Sequence, residues 1–192
     1  MLGLLTPTDP RWIAHALADF DAVLLDHFHC ELKAASNATA LVARHPDRPR
    51  LVRELSALAQ EELTHLAQVH ARLVARNVRI VPPSTDPYAI ALRHACNQTP
   101  GRRDPLLDRL CVAALIEARS CERFALLRDH APTDELRAWY ADLFASEARH
   151  HRLFASLAED VAGEETARGR LAFLAAREAE IVAALPLVAR VH

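Results

Sequence analysis

Two copies of Glu-x-x-His, Glu62-Leu-Thr-His65 and Glu147-Ala-Arg-His150, constrain this chain more than any other feature. On a helix, residues i and i+3 share a face, so each motif presents a carboxylate and an imidazole to one point in space. Each motif also has an upstream acid: Glu31 lies 31 residues before Glu62, and Glu117 lies 30 before Glu147. The two triads are offset by 86, 85 and 85 residues (31 to 117, 62 to 147, 65 to 150), so the chain reads as a repeated helix pair. One Glu from each of two helices, with Glu-x-x-His from each of two others, is the ligand set of a dimetal carboxylate four-helix bundle.

The rest of the chain supports helices to carry these residues. With 4 glycines, 5% aromatics and an abundance of Ala, Leu, Arg and Glu, the composition favours long helices over sheets, and 192 residues suit one compact domain. Thr8-Asp9-Pro10 reads as a cap and first turn, opening a helix over about 10–44 whose apolar stripe (Ile13, Ala16, Leu17, Phe20, Val23, Leu24, Phe28, Ala35, Ala38) includes Glu31. His45-Pro46-Asp47-Arg48-Pro49 ends it, and a second helix over about 50–77 places Glu62 and His65 beside Leu51, Leu55, Leu58, Leu66, Val69 and Leu73. Residues 78–105 are rich in proline, with one short helix around Tyr88–Cys96, and form the crossover. Helix three (about 105–129) carries Glu117, and helix four (about 134–161), capped by Thr133 and closed by Gly163, carries Glu147 and His150. A fifth helix over about 164–185 is expected to pack outside, through Leu171, Leu174, Ile181, Val182 and Leu185. The expected class is therefore all-α: a ferritin-like four-helix bundle with one long crossover and an additional C-terminal helix, as a single domain over 1–192.

Physical chemistry favours a metal centre over a solvated surface. Four carboxylates converging in a core repel and lose hydration, which a fold does not tolerate unless protons or cations compensate. Two divalent ions balance four carboxylates, and oxygen-rich ligation with two imidazoles suits iron or manganese better than tetrahedral zinc. The metal ligands expected are Glu31, Glu62, His65, Glu117, Glu147 and His150. Glu122 rivals Glu117 but lies off the stripe; Glu61 rivals Glu62 but lacks the three-residue step to His65. His151 is about 100° around the helix from His150, which predicts a surface or supporting position. His27, one turn before Glu31, is within reach of the site but reads as a hydrogen-bonded core histidine, and Cys30 and Cys121 read as small buried hydrophobes.

The segments DHFHCELKAA (26–35), DRLCVAALIEARSCERF (108–124) and SEARHHRLF (146–154) resemble the tRNA hydroxylase family that acts on 2-methylthio-N6-isopentenyladenosine, and the likeness covers most of residues 1–160. That resemblance implies a di-iron monooxygenase hydroxylating the isopentenyl side chain of the modified adenosine beside the anticodon, with the six residues above as iron ligands and no further catalytic residue assigned. An unactivated C–H bond offers no acid or base handle, so the chemistry falls to two iron ions and O2. Neither flavin nor iron–sulfur motifs are present, so two electrons are expected from an external donor or reductase. The alternative is a ferritin-like iron-handling ferroxidase, which shares the ligand set but has no organic substrate.

Net charge of −2 gives no global attraction for nucleic acid, so tRNA would be held by a local patch. The span 72–109 supplies one: Arg72, Arg76, Arg79, Arg93, Arg102, Arg103 and Arg109 against Asp86, Asp104 and Asp108. The four cysteines show no C-x-x-C spacing and read as free thiols in a reducing compartment. No window approaches the roughly 20 apolar residues of a membrane span, so no membrane partner and a cytoplasmic location are expected.

Overall fold

A computed structural model describes residues 2–98 and 104–191, and among these every regular element is helical. The helices are α1 (Trp12–Ala18), α2 (Phe20–Arg44), α3 (Pro49–Ala75), α4 (Pro87–Ala95), α5 (Pro105–His130), α6 (Asp134–Ala162) and α7 (Glu164–Ala184). Two compact units divide the chain: α2 and α3 with the tail 189–191, and α1 with α4 to α7.

In the first of these units, α2 and α3 form a hairpin across the short turn 45–48. Its core takes Val23, Leu24 and Ala38 of the expected stripe, joined by Leu41, with Leu55, Val69 and Leu73 of α3, all buried, while Phe28 is only half-buried. Where a single helix is expected from about 10, the chain breaks at Asp19. The Asp19 carboxylate accepts a hydrogen bond from Ala22 N (3.1 Å), capping α2 and satisfying one of its orphan donors. On α2, Asp26 Oδ2 accepts from Val191 N (2.7 Å), which fastens the buried tail residue Val191.

The other unit is built around α5, which is buried on nearly every side. Helices α5 and α6 form a second hairpin, and α7, α4 and the 3-10 turn Cys96–Gln98 pack against that unit's helices. Its helix starts follow local chemistry. Asp104 accepts from Leu106 N and Leu107 N ahead of Pro105, Asp86 accepts from Ala89 N ahead of Pro87, and Thr133 accepts from Leu136 N. Gly163 ends α6 at φ +82°, a backbone state that glycine adopts without Cβ strain.

Two expectations change here. Thr8 is no helix cap: its N–H and hydroxyl both donate to Glu122 Oε2 at 2.7 Å, and α1 starts later, at Trp12. The C-terminal helix buries not an apolar stripe alone but Ala167, Leu174, Ala175 and Glu178, while Leu171, Ile181 and Val182 are only half-buried. Glu178 is there because Arg119 of α5, fully buried, donates to both of its oxygens at 2.8–3.0 Å. The same guanidinium reaches Thr8 Oγ1, Thr6 O and Glu122, and Tyr88 of α4 donates its hydroxyl to Glu178 Oε1 (3.0 Å). Burial opposes the Arg119 charge, but the neighbouring carboxylates, Glu178 foremost, hold its pKa above the ordinary value. Burial, with Glu178 adding, pushes the Tyr88 hydroxyl well up, so it remains a donor.

Removing one member of a buried charge pair strands the other. Glu178→Leu is expected to destabilise the protein by about 3–5 kcal/mol in urea unfolding, and the double variant Arg119→Met/Glu178→Leu to recover most of that loss.

Candidate metal centre

Each unit carries one of the expected triads. On the α2–α3 hairpin, Glu31, Glu62 and His65 are all buried and each offers a ligand atom, the three lying within 4.8 Å of one another. His65 Nδ1 is 3.5 Å from Glu62 Oε2 and 3.9 Å from Glu31 Oε2. Its other nitrogen, Nε2, lies 4.0 Å from Glu61 Oε1, whose side chain is partly exposed. The imidazole therefore turns Nδ1 to the two buried carboxylates and Nε2 outward. This is the i, i+3 geometry the sequence spacing requires, and it separates Glu62 from its neighbour Glu61 by burial.

In the other unit, Glu117 of α5 and Glu147 and His150 of α6 are likewise buried, each with a ligand atom within 4.8 Å of the others. His150 Nδ1 is 3.9 Å from Glu147 Oε1, again the nitrogen facing the acid one turn before it. Glu122 is engaged elsewhere, with Thr8 and Arg119. His151, expected at the surface or in support, is buried: its Nδ1–H donates to Ala114 O at 2.8 Å, a tie from α6 to α5. Burial depresses the His151 pKa, the bond to Ala114 partly opposing, so the ring is the neutral donor that this bond uses. His27, fully buried, is 2.6 Å from Glu31 through Nε2.

These donor sets fit hard or borderline divalent metals. Buried carboxylates next to imidazole nitrogens form clusters compatible with metal binding, and the apolar neighbours of Glu117 on its own helix, Ala114, Ala118 and Cys121, are fully buried. Of the basic patch, Arg76 is already paired with Asp21 and stacked over Phe20, while Arg102 and Arg103 lie outside the described residues. Sequence reasoning missed the Arg119–Glu178 pair and the burial of His151. Glu178 gave one signal, falling one turn after Leu174.

Cys121 sits one turn after Glu117 and directs its thiol to Phe144 O at 3.5 Å. Burial, reinforced by Glu117, raises that thiol to about 11, and burial raises Cys111 to about 12. Both groups are raised in the folded state, so their contribution to stability is full below the pKa of an unfolded thiol, about 8.5, and is lost as pH rises through 11–12. Iodoacetamide at pH 8 is expected to leave Cys111 and Cys121 unmodified in the folded protein and to label both in urea, as read by peptide mass.

The chain and its fold are similar to those of known proteins. The structure resembles a Synechococcus protein described as having aldehyde deformylating oxygenase activity, with a TM-score of 0.89 and 40% identity over 98% of this chain and 94% of that one. This likeness makes the all-α fold ferritin-like, in keeping with the expected class. A Pseudomonas putida protein named tRNA 2-(methylsulfanyl)-N(6)-isopentenyladenosine(37) hydroxylase is 40% identical over 92% of this chain and 84% of its own length. A Salmonella typhimurium protein of the same name is 29% identical over 92% of this chain and 82% of its own. The family model described as tRNA-(MS[2]IO[6]A)-hydroxylase (MiaE) matches residues 2–192, past the limit near 160 of the sequence resemblance, and the chain belongs to that family.

Proposed function

We propose that this protein is an O2-dependent tRNA hydroxylase that hydroxylates the isopentenyl side chain of 2-methylthio-N6-isopentenyladenosine beside the anticodon, in the cytoplasm. One observation carries the reading: two buried Glu/Glu/His triads in a chain whose family is named for this hydroxylation. In this proposal the two units are the halves of one ferritin-like domain over 1–192, and their triads together hold two iron ions. The ligands are Glu31, Glu62, His65, Glu117, Glu147 and His150. Charge balance supports the pairing, since four carboxylates offset two divalent cations.

When bound, iron supplies the O2 activation that an unactivated C–H bond needs. The chain's own part is to fix ligands and exclude water. The imidazoles turn Nδ1 inward, the motif spacing sets each carboxylate beside one of them, and buried alanines and Cys121 on the Glu117 helix keep that side apolar. Two electrons come from an external donor. Iron handling without an organic substrate is the weaker reading, because the matching relatives are named hydroxylases. A second reading, oxygen-dependent deformylation of an aldehyde, is favoured by one observation: the likeness to the Synechococcus protein.

Nucleoside analysis of tRNA from cells with and without the gene is the decisive test. Loss of the hydroxylated nucleoside on deletion is expected, and an unaltered profile would overturn the proposal. Turnover of an aldehyde by the purified protein, with tRNA unchanged, would favour the second reading. Glu62→Ala and Glu147→Ala are each expected to lower bound iron from about two equivalents to about one or fewer and to cut hydroxylation at least about 100-fold, as read by metal analysis and nucleoside chromatography. Charge reversal of Arg102 and Arg103 is expected to weaken tRNA binding in a salt-dependent way.

A further inference from the structure

Glu31 makes a short bond within its own helix. His27, one turn earlier on α2, places Nε2 2.6 Å from Glu31 Oε1, and the two side chains are 0% and 5% exposed. The second oxygen, Oε2, is the one that lies 3.9 Å from His65 Nδ1, the nitrogen that also faces Glu62. The two oxygens of Glu31 are thus divided: one toward an imidazole on α2, the other toward the triad.

Helix packing alone gives no reason for this bond. It is local, i to i+4, so it joins no two helices, and a buried pair of polar groups is commonly matched or bettered in stability by apolar side chains of similar size. It does limit where the carboxylate can sit. A glutamate has three side-chain torsions, and a free one samples orientations that offer one oxygen, both, or neither to a neighbouring ion. A donor fixed on one oxygen removes most of that choice. Hydrogen bonding of a ligating carboxylate by an outer partner is a general way of orienting it and tuning the ion it binds.

We infer that His27 is a positioning residue for Glu31: its Nε2–H donates to Oε1, fixes the carboxylate with Oε2 toward His65, and makes Glu31 a one-oxygen ligand. This rests on Glu31 being a metal ligand, as proposed above. The donor requires only the N–H at Nε2, so glutamine, which carries an N–H at similar reach, is the conservative replacement and leucine the apolar one.

Anaerobic titration with Co(II), followed by its visible absorption, tests the inference on the whole protein without turnover. Wild type, His27→Gln, His27→Leu and Glu31→Ala are compared, with circular dichroism melting as the control for folding. His27→Leu is expected to weaken one of the Co(II) sites about 10–100-fold while melting at or above the wild-type temperature, and His27→Gln to stay within a few-fold of wild type. Wild-type affinity in His27→Leu, or an equal loss in His27→Gln and His27→Leu, would overturn it. If His27→Leu does not fold, His27→Asn takes its place, since asparagine is too short to reach Oε1: it should bind more weakly than His27→Gln, and equality overturns the inference. Glu31→Ala separates the two levels of argument. Weakened binding in Glu31→Ala with normal binding in His27→Leu removes only the positioning role. Normal binding in Glu31→Ala removes Glu31 as a ligand, and the role of His27 with it.

Discussion

The cost of keeping a carboxylate out of water governs this molecule. Glu31, Glu62, Glu117 and Glu147 are all at most 5% exposed, in helices whose other inward positions are mostly Leu, Ala and Val. An interior of that kind penalises each anion by several kcal/mol unless something compensates. The Glu-x-x-His step brings an imidazole to the acid one turn away, and each hairpin brings a further glutamate from its first helix to the same spot. Nothing in this requires loops to be placed with precision. Four long helices, two short turns and a fixed register suffice, which is why a chain with few glycines and few aromatics can build it.

A second buried polar system shows a different answer to the same cost. Around Arg119, every charge meets its opposite directly: Glu178 takes the guanidinium with both oxygens, Glu122 and Thr8 take another edge, and Tyr88 adds a hydroxyl. That network is complete from protein atoms alone and reads as architecture. The triads instead set acids beside imidazoles at 3.5–3.9 Å, longer than hydrogen bonds and suited to an ion between them. Two relatives at 40% identity carry different named activities, a tRNA hydroxylase and a protein with aldehyde deformylating oxygenase activity. One fold thus serves relatives with different named activities, and the fold alone does not fix the organic substrate.

What the sequence made legible was whatever depends on near neighbours along the chain. The i, i+3 partnership of Glu62 with His65 and of Glu147 with His150 follows from helical geometry, as do the starts at Pro105 and Thr133 and the stop at Gly163. Contacts between distant residues were hidden. Thr8 looks like a cap from its own neighbours, yet its partner is 114 residues away. Glu178 looks like a solvated residue on an amphipathic helix, yet Arg119, 59 residues earlier, draws it inward. His151 looks peripheral by helical angle, but α5 carries a carbonyl at Ala114 that meets it. The break at Asp19 escaped for a subtler reason, because the apolar stripe continues through it and only the capping bond marks the change of helix.

The Arg119 network also orders events in time. Its partners lie far apart along the chain: Thr6 and Thr8 precede α1, and Glu178 lies in α7. The α2–α3 hairpin, by contrast, is contiguous, and both of its helices are complete by residue 75. On the ribosome that hairpin can collapse early, while the other unit waits for α7 to bring Glu178 to the edge of the Arg119 guanidinium that Glu122 and Thr8 leave open. Completion of that unit therefore waits for α7, and a nascent chain stalled before α7 would expose the apolar faces of α5 and α6 to chaperones.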